Sequence, residues 1–247
     1  MPRYAMAIDL DRCVGCGACV LACKGEWDVM DGGARDWVVP ILPEGEFPNV
    51  VSTFYTGLCN HCDEPTCVPA CPTGATYQDE AGRVRVDREL CIGCGYCVAA
   101  CPYGARYHDE RVHKVDKCDF CAERVDRDPH RAPACVQTCP ADARIFGDLS
   151  DADSRVHGLV YGRPSRRLET DDVAIGPNVY YLGDDHHVDQ ILAHHPPDPD
   201  GTRPPLPGRL WQRWIRPAVL VGVAGAFLGQ AVAFFYQLAK GENSFGE

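Results

Sequence analysis

Sixteen cysteines stand in four sets of four, and their spacing constrains this chain more than any other feature. The first set is Cys13-x2-Cys16-x2-Cys19-x3-Cys23. The second is Cys59-x2-Cys62-x4-Cys67-x3-Cys71. The third repeats the first spacing at Cys91, Cys94, Cys97 and Cys101, and the fourth pairs Cys118-x2-Cys121 with Cys135-x3-Cys139. Proline follows the last cysteine of the later three sets, at 72, 102 and 140, whereas Lys24 holds that place in the first. Cysteines this close on one loop mostly cannot reach disulfide geometry with one another. A secretory leader is not expected, because Met1-Pro2-Arg3-Tyr4 runs straight into a strand-like segment. Zinc favours paired C-x2-C units with longer spacers and closes with four ligands; a third and fourth cysteine per run supply more thiolates than one zinc needs. The spacing that remains is that of iron–sulfur ligands.

The run C-x2-C-x2-C-x3-C-P holds [4Fe–4S] clusters in bacterial ferredoxins. Three thiolates on one tight loop wrap one cube, and the fourth, from the following helical turn, reaches a neighbouring cube. Four sets therefore predict four [4Fe–4S] clusters. Gly15, Gly17, Gly93 and Gly95 flank the ligands and permit tight backbone turns close to sulfur. With 24 glycines and 20 prolines in 247 residues, much of the interior is expected to be cluster and loop. The chain without metal is then not expected to fold. A net charge of −11 argues against nucleic acid as a partner. No nucleophile–base set and no nucleotide-binding glycine loop is present, so the sequence points away from substrate chemistry of its own.

An internal repeat runs through the cysteine region. Ile8-Asp9 precedes Cys13 at the interval by which Val86-Asp87 precedes Cys91, and Val115-Asp116 precedes Cys118 in a shortened version. These read as short strands that deliver the chain to a cluster loop. Ala75-Thr76-Tyr77, Ala105-Arg106-Tyr107 and Ala143–Phe146 read as return strands, pairing with them in antiparallel hairpins. Residues 25–57, with Trp27, Trp37, Phe47 and prolines at 40, 43 and 48, read as an ordered loop over a cluster or a partner. In 148–194 only Asn178–Leu182 reads as a strand; the pairs His186-His187 and His194-His195 read as a solvated, flexible segment.

The composition then changes. Residues 196–208 are a stiff Pro-rich stretch, and Pro217–Ala239 is a run without a charge. A helix of that length crosses a hydrocarbon core of about 30 Å. Trp211 and Trp214 flank one end and Phe234, Phe235 and Tyr236 the other, while Gly225 and Gly229 form a G-x3-G face suited to packing on another membrane helix. Arg203, Arg209, Arg213 and Arg216 precede the span, which favours the cytoplasmic side for the cluster domain. The expected organisation is a four-cluster domain over 1–149, an extension with a terminal strand over 150–195, a Pro-rich linker over 196–216, an anchor helix over 217–239 and a tail over 240–247.

The segments YAMAIDLDRCVGCGACVLACK, CNHCDEPTCVPACPTGATY, CIGCGYCVAACPYGARY, DKCDFC and PACVQTCPADARIFGDL closely resemble the iron–sulfur subunits of the dimethyl sulfoxide reductase superfamily of molybdopterin oxidoreductases. That group includes polysulfide, thiosulfate, tetrathionate and arsenate reductases and membrane-bound formate dehydrogenase. The resemblance covers most of residues 3–149. It implies an α+β fold of two bacterial two-[4Fe–4S] ferredoxin-like modules, one nested in the other, with a C-terminal transmembrane helix added. It also implies the sharing of ligands: Cys13, Cys16, Cys19 with Cys139; Cys118, Cys121, Cys135 with Cys23; Cys59, Cys62, Cys67 with Cys101; and Cys91, Cys94, Cys97 with Cys71. Expected partners are a molybdopterin catalytic subunit and an integral-membrane quinone-binding subunit, of polysulfide-reductase or cytochrome b type, at the bacterial inner membrane. Many relatives are periplasmic, which leaves the membrane side open. The equivalent subunit of a quinone-linked nickel–iron hydrogenase is the alternative, and a zinc-binding membrane adaptor is a third reading. At the one departure from the repeat, Lys24, a helix is expected to continue and the ammonium to be solvated.

Overall fold

The computed structural model describes residues 1–128 and 131–198, together with four helical positions, Gly225, Gly229, Gln230 and Tyr236. Met1–Thr202 forms one compact unit and Arg203–Glu247 another. In chain order the elements are β1 (Tyr4–Asp9), α1 (Ala18–Trp27), β2 (Asp36–Pro40), β3 (Phe54–Leu58), β4 (Thr76–Gln78), β5 (Val84–Val86), α2 (Tyr96–Ala99), β6 (Tyr107–Asp109) and β7 (Lys114–Asp116). They continue with α3 (Ala122–Arg127), α4 (Ala134–Gln137), β8 (Arg144–Asp148), α5 (Arg155–Gly162), β9 (Ser165–Arg166), β10 (Val179–Leu182) and α6 (Asp185–His194).

Strand β1 is apolar on both faces, so it must be covered on both. Ala5, Met6, Ala7 and Ile8 are all fully buried. It lies inside a four-stranded sheet of order β8-β1-β10-β9, antiparallel to β8 with Ile8 opposite Arg144, and parallel to β10 with Met6 opposite Val179. The two faces serve different cores. Met6 and Ile8 join Leu58, Phe120, Tyr181 and Ile191, on the side of the cysteine loops. Ala5 and Ala7 face Val156 and Val160 of α5, their small side chains letting the helix approach the sheet. The extension read over 150–195 thus supplies β9, β10 and both helices of this packing.

Two further hairpins lie between β1 and β8 in the chain: β4 with β5, Thr76 opposite Val86, and β6 with β7, Tyr107 opposite Asp116. Each ends on a cysteine loop. The segment 25–57, read as a loop, instead contains the antiparallel pair β2–β3, with Trp37 opposite Gly57. Trp37 lies against Gly57 so closely that a Cβ there would meet the indole at 2.2 Å. Leu58 at the end of β3 runs directly into Cys59, so this hairpin delivers the second cysteine set. The paired histidines also differ from the reading as a flexible segment. Asp184 caps α6 by accepting from the His186 N–H at 2.9 Å, and Val188 and Ile191 bury one face of the helix. His194 then meets Glu44 at 3.2 Å and His195 stacks on Tyr55 with centroids 5.1 Å apart.

Among the described residues no helix is long and apolar enough to cross a membrane. The span expected over 217–239 lies outside the described residues apart from the four helical positions, as does most of the linker.

Candidate metal centres

Each C-x2-C pair turns on the same backbone device. The residue just before the second cysteine is left-handed in all four sets: Gly15 at φ 66°, His61 at 46°, Gly93 at 70° and Phe120 at 57°. Glycine adopts this freely, whereas His61 and Phe120 are strained by about 1–3 kcal/mol each. Their rings stack on each other with centroids 3.8 Å apart, and both are fully buried, which offsets that strain. Gly17 and Gly95 are left-handed as well and start α1 and α2, which carry the third cysteines Cys19 and Cys97 inward.

The loops fold back on one another so that cysteines distant in sequence share cavities. One cavity is lined by Cys13, Cys16, Cys19 and Cys139. A second is lined by Cys23, Cys118, Cys121 and Cys135. A third is lined by Cys59, Cys62, Cys67 and Cys101. Each takes three cysteines from one set and one from another. Of the remaining four, Cys91 and Cys97 pack together beside Val84 and Val115, Cys71 is half-buried and Cys94 is exposed. All sixteen cysteines are free. Among the described residues no three Cys, His, Asp or Glu side chains converge to hold a single ion. A [4Fe–4S] cube takes one thiolate per iron, so its ligands stand around a void instead of meeting at a point.

Donors are already aimed at the sulfurs. The Ala143 N–H points to Cys139 Sγ at 3.3 Å, the Ala105 N–H to Cys101 Sγ at 3.5 Å and the Thr76 N–H to Cys71 Sγ at 3.4 Å. Trp27 Nε1 donates to Cys121 Sγ at 3.3 Å and Arg106 Nη2 to Cys67 Sγ at 3.0 Å. Burial pushes the Cys19, Cys101 and Cys135 thiols up to about 11. At Cys71 the burial penalty, the largest single effect, is outweighed by the combined hydrogen bonds from Thr76 and Thr73, which bring the thiol down to about 7. Burial keeps the first three thiols protonated when no metal is present; clusters held by them would take the thiolates and supply the positive charge that burial denies them.

The buried cations are the part of the site that sequence reasoning missed. Arg144 lines the cavity of Cys13 and Cys139, only 2% exposed, and its Nε and both Nη atoms make no well-aligned hydrogen bond. Its Nη1 stands 3.0 Å from Asp36 Oδ2, an ion-pair distance with poor hydrogen-bond alignment. A guanidinium left with unused donors among cysteines fits a site built for an anionic iron–thiolate cube. Arg106 occupies the matching place in the other module. The signal was the repeat C-P-x-x-A-R, at Cys101–Arg106 and again at Cys139–Arg144. At Lys24 helix α1 continues as expected, but the ammonium is not simply solvated: it donates to the Gly33 carbonyl at 2.6 Å.

Known proteins share this pattern. Residues 50–149 match a 4Fe-4S dicluster domain family and residues 4–25 a 4Fe-4S binding domain family. The chain is 41% identical over 199 residues to a tetrathionate reductase subunit of Salmonella typhimurium, covering 79% of this chain and 78% of that protein. The chain belongs to the iron–sulfur subunits of the dimethyl sulfoxide reductase family. Protein NrfC of Escherichia coli is 41% identical, over 72% of this chain and 79% of its own length. A sulfite dehydrogenase subunit of Allochromatium vinosum is 44% identical, over 68% and 78%. As a member of this family of iron–sulfur subunits, the chain carries [4Fe–4S] clusters and transfers electrons, and the catalytic centre is not its own.

Proposed function

We propose that this subunit relays single electrons through four [4Fe–4S] clusters, between a molybdopterin (Mo or W) catalytic subunit and a quinone-reactive membrane subunit of a respiratory complex. The observation that carries the reading is the lining of three cavities by four cysteines each, drawn from paired sets. The ligand sets are then Cys13, Cys16, Cys19, Cys139; Cys23, Cys118, Cys121, Cys135; Cys59, Cys62, Cys67, Cys101; and Cys71, Cys91, Cys94, Cys97. When bound, each cluster supplies a one-electron carrier. The chain's own part is to hold the thiolates, keep water from the cages and present N–H donors to sulfur, so that little has to rearrange when charge arrives.

Exposure supports a through-route with a partner at each end. Cys16 of the outer module and Cys94 of the inner one are the two exposed cysteines. Exposed apolar side chains lie close to both in sequence: Val14 and Leu21 by the first, Leu90, Ile92 and Tyr96 by the second. The run 217–239 is proposed as a single-pass anchor in the bacterial inner membrane, and the arginines before it favour the cytoplasmic face for the cluster unit.

Metal analysis of the purified complex tests the reading. The expected result is about sixteen iron per chain with matching acid-labile sulfide. A few zinc ions and no visible absorbance would sink it. Deleting residues 203–247 should release the cluster unit from washed membranes; continued retention without other subunits present would count against the anchor.

A further inference from the structure

The motif C-P-x-x-A-R appears twice, and the two arginines it places are not electrostatically equivalent. Arg106 is 3% exposed. Its Nη2 reaches Cys67 Sγ at 3.0 Å and its Nη1 reaches Thr76 Oγ1 at 3.2 Å. Thr76 holds the same place after the second set, in Cys-Pro-Thr-Gly-Ala-Thr, that Arg106 holds after the third. The charged group of one half of the inner module is therefore received by a neutral hydroxyl of the other half. Neither the cavity that Arg106 lines nor the one that Arg144 lines has a carboxylate in its wall, so the two differ only in what stands behind the guanidinium. Arg144 in the outer module is different, because Asp36 comes in from β2 to within 3.0 Å of it and both are almost fully buried. No ion pair involving Arg106 occurs among the described residues, and cysteines surround it.

An unbalanced buried cation stabilises an added electron nearby, whereas a balanced one does so far less. Resting on the ligand sets proposed above, we infer that Arg106 is a potential-setting residue. It holds the cluster of Cys59, Cys62, Cys67 and Cys101 at a higher reduction potential than the cluster of Cys13, Cys16, Cys19 and Cys139, where Asp36 offsets Arg144. The step concerned adds one electron to a cluster, with no bond made or broken and no proton moved. The inner module then forms an electron well on the route, and an electron entering at the outer end runs downhill into it.

The test is a redox titration of the full-length chain in its native complex, followed by electron paramagnetic resonance, with dithionite as reductant and ferricyanide as oxidant. Cys62→Ser and Cys16→Ser variants identify which signal belongs to each cluster. The expected order places the Cys62 cluster above the Cys16 cluster. R106Q lowers the potential of the Cys62 cluster and leaves the Cys16 cluster in place, and R106K restores most of the shift. D36N moves an outer-module cluster upward. The inverse order, or R106Q with full iron and no shift, overturns the proposal. A shift that R106K does not restore assigns Arg106 a purely structural role and also overturns it. If R106Q fails to assemble, D36N decides: no upward shift means the inference is wrong. Iron and sulfide in the parent protein report separately on the ligand reading, so the two failures are distinguishable.

Discussion

The four left-handed residues of the C-x2-C loops show how a single backbone angle can govern ligand placement. At Gly93, φ is 70° and an added Cβ would stand 2.2 Å from the His113 carbonyl oxygen, a backbone atom with nowhere to retreat. G93A is expected to destabilise the loop by about 1–3 kcal/mol and to speed the loss of visible absorbance when a chelator is added; bleaching at the parent rate would show that the loop tolerates a side chain. On the proposed ligand sets C94S removes a ligand and should lose or convert one cluster. Iron analysis with electron paramagnetic resonance checks this, and unchanged iron content with unchanged spectra would refute ligation by Cys94. At this scale the gathering of cysteines into three of the four expected sets was legible in the sequence. Arg106 and Arg144 were not, because an arginine after alanine at the start of a short strand looks like any exposed strand charge until its guanidinium is seen buried among cysteines. His61 and Phe120 were equally silent: neither glycine nor asparagine marked their left-handed turn, and the ring stack that compensates for it joins residues far apart in the chain.

Among the elements, β1 carries the most. Its partners lie on both edges and its side chains fill both faces, so an error there is felt in the sheet and in the cysteine core together. I8A is expected to cost about 2–5 kcal/mol, seen as a lower temperature of cluster loss in a thermal ramp followed by visible absorbance. An unchanged temperature would mean that the cages do not depend on the sheet. The strands that deliver and return the cysteine loops were legible because the cysteines frame them. The β2–β3 hairpin was hidden by its prolines: Pro40 ends β2, and prolines at 43 and 48 made the stretch look like coil. Helices α5 and α6 were missed although their caps are readable. Ser154 accepts from the His157 N–H and Asp184 from the His186 N–H, and Val188, Ile191 and Leu192 follow the second cap at helical spacing. The conspicuous histidine pairs drew attention from that pattern.

For the whole unit Met1–Thr202, the interior is shared between apolar side chains and cysteine cages, so iron is expected to be a structural component as well as a carrier. Stripping it under anaerobic conditions should collapse the far-ultraviolet circular dichroism along with the visible absorbance; retention of the secondary structure would show that the polypeptide stands alone. The exposed apolar residues next to Cys94 in the chain give a further outcome. I92E, at a position 66% exposed, should weaken co-purification with one partner protein while leaving iron content unchanged, and full retention of both partners would show that neither docks on this surface. The order of the strands also bears on how the protein is made. β1 leaves the ribosome before every other described strand, yet β8 and β10, which cover its two edges, come after all the other described strands except the short β9 between them. On the proposed ligand sets, the cages that need Cys135 and Cys139 wait for the same stretch, whereas those of the inner module are complete by Cys101. The nascent chain therefore carries a sticky, uncovered strand until β8 and β10 emerge, while on the proposed ligand sets the middle of the polypeptide is expected to take up iron earlier.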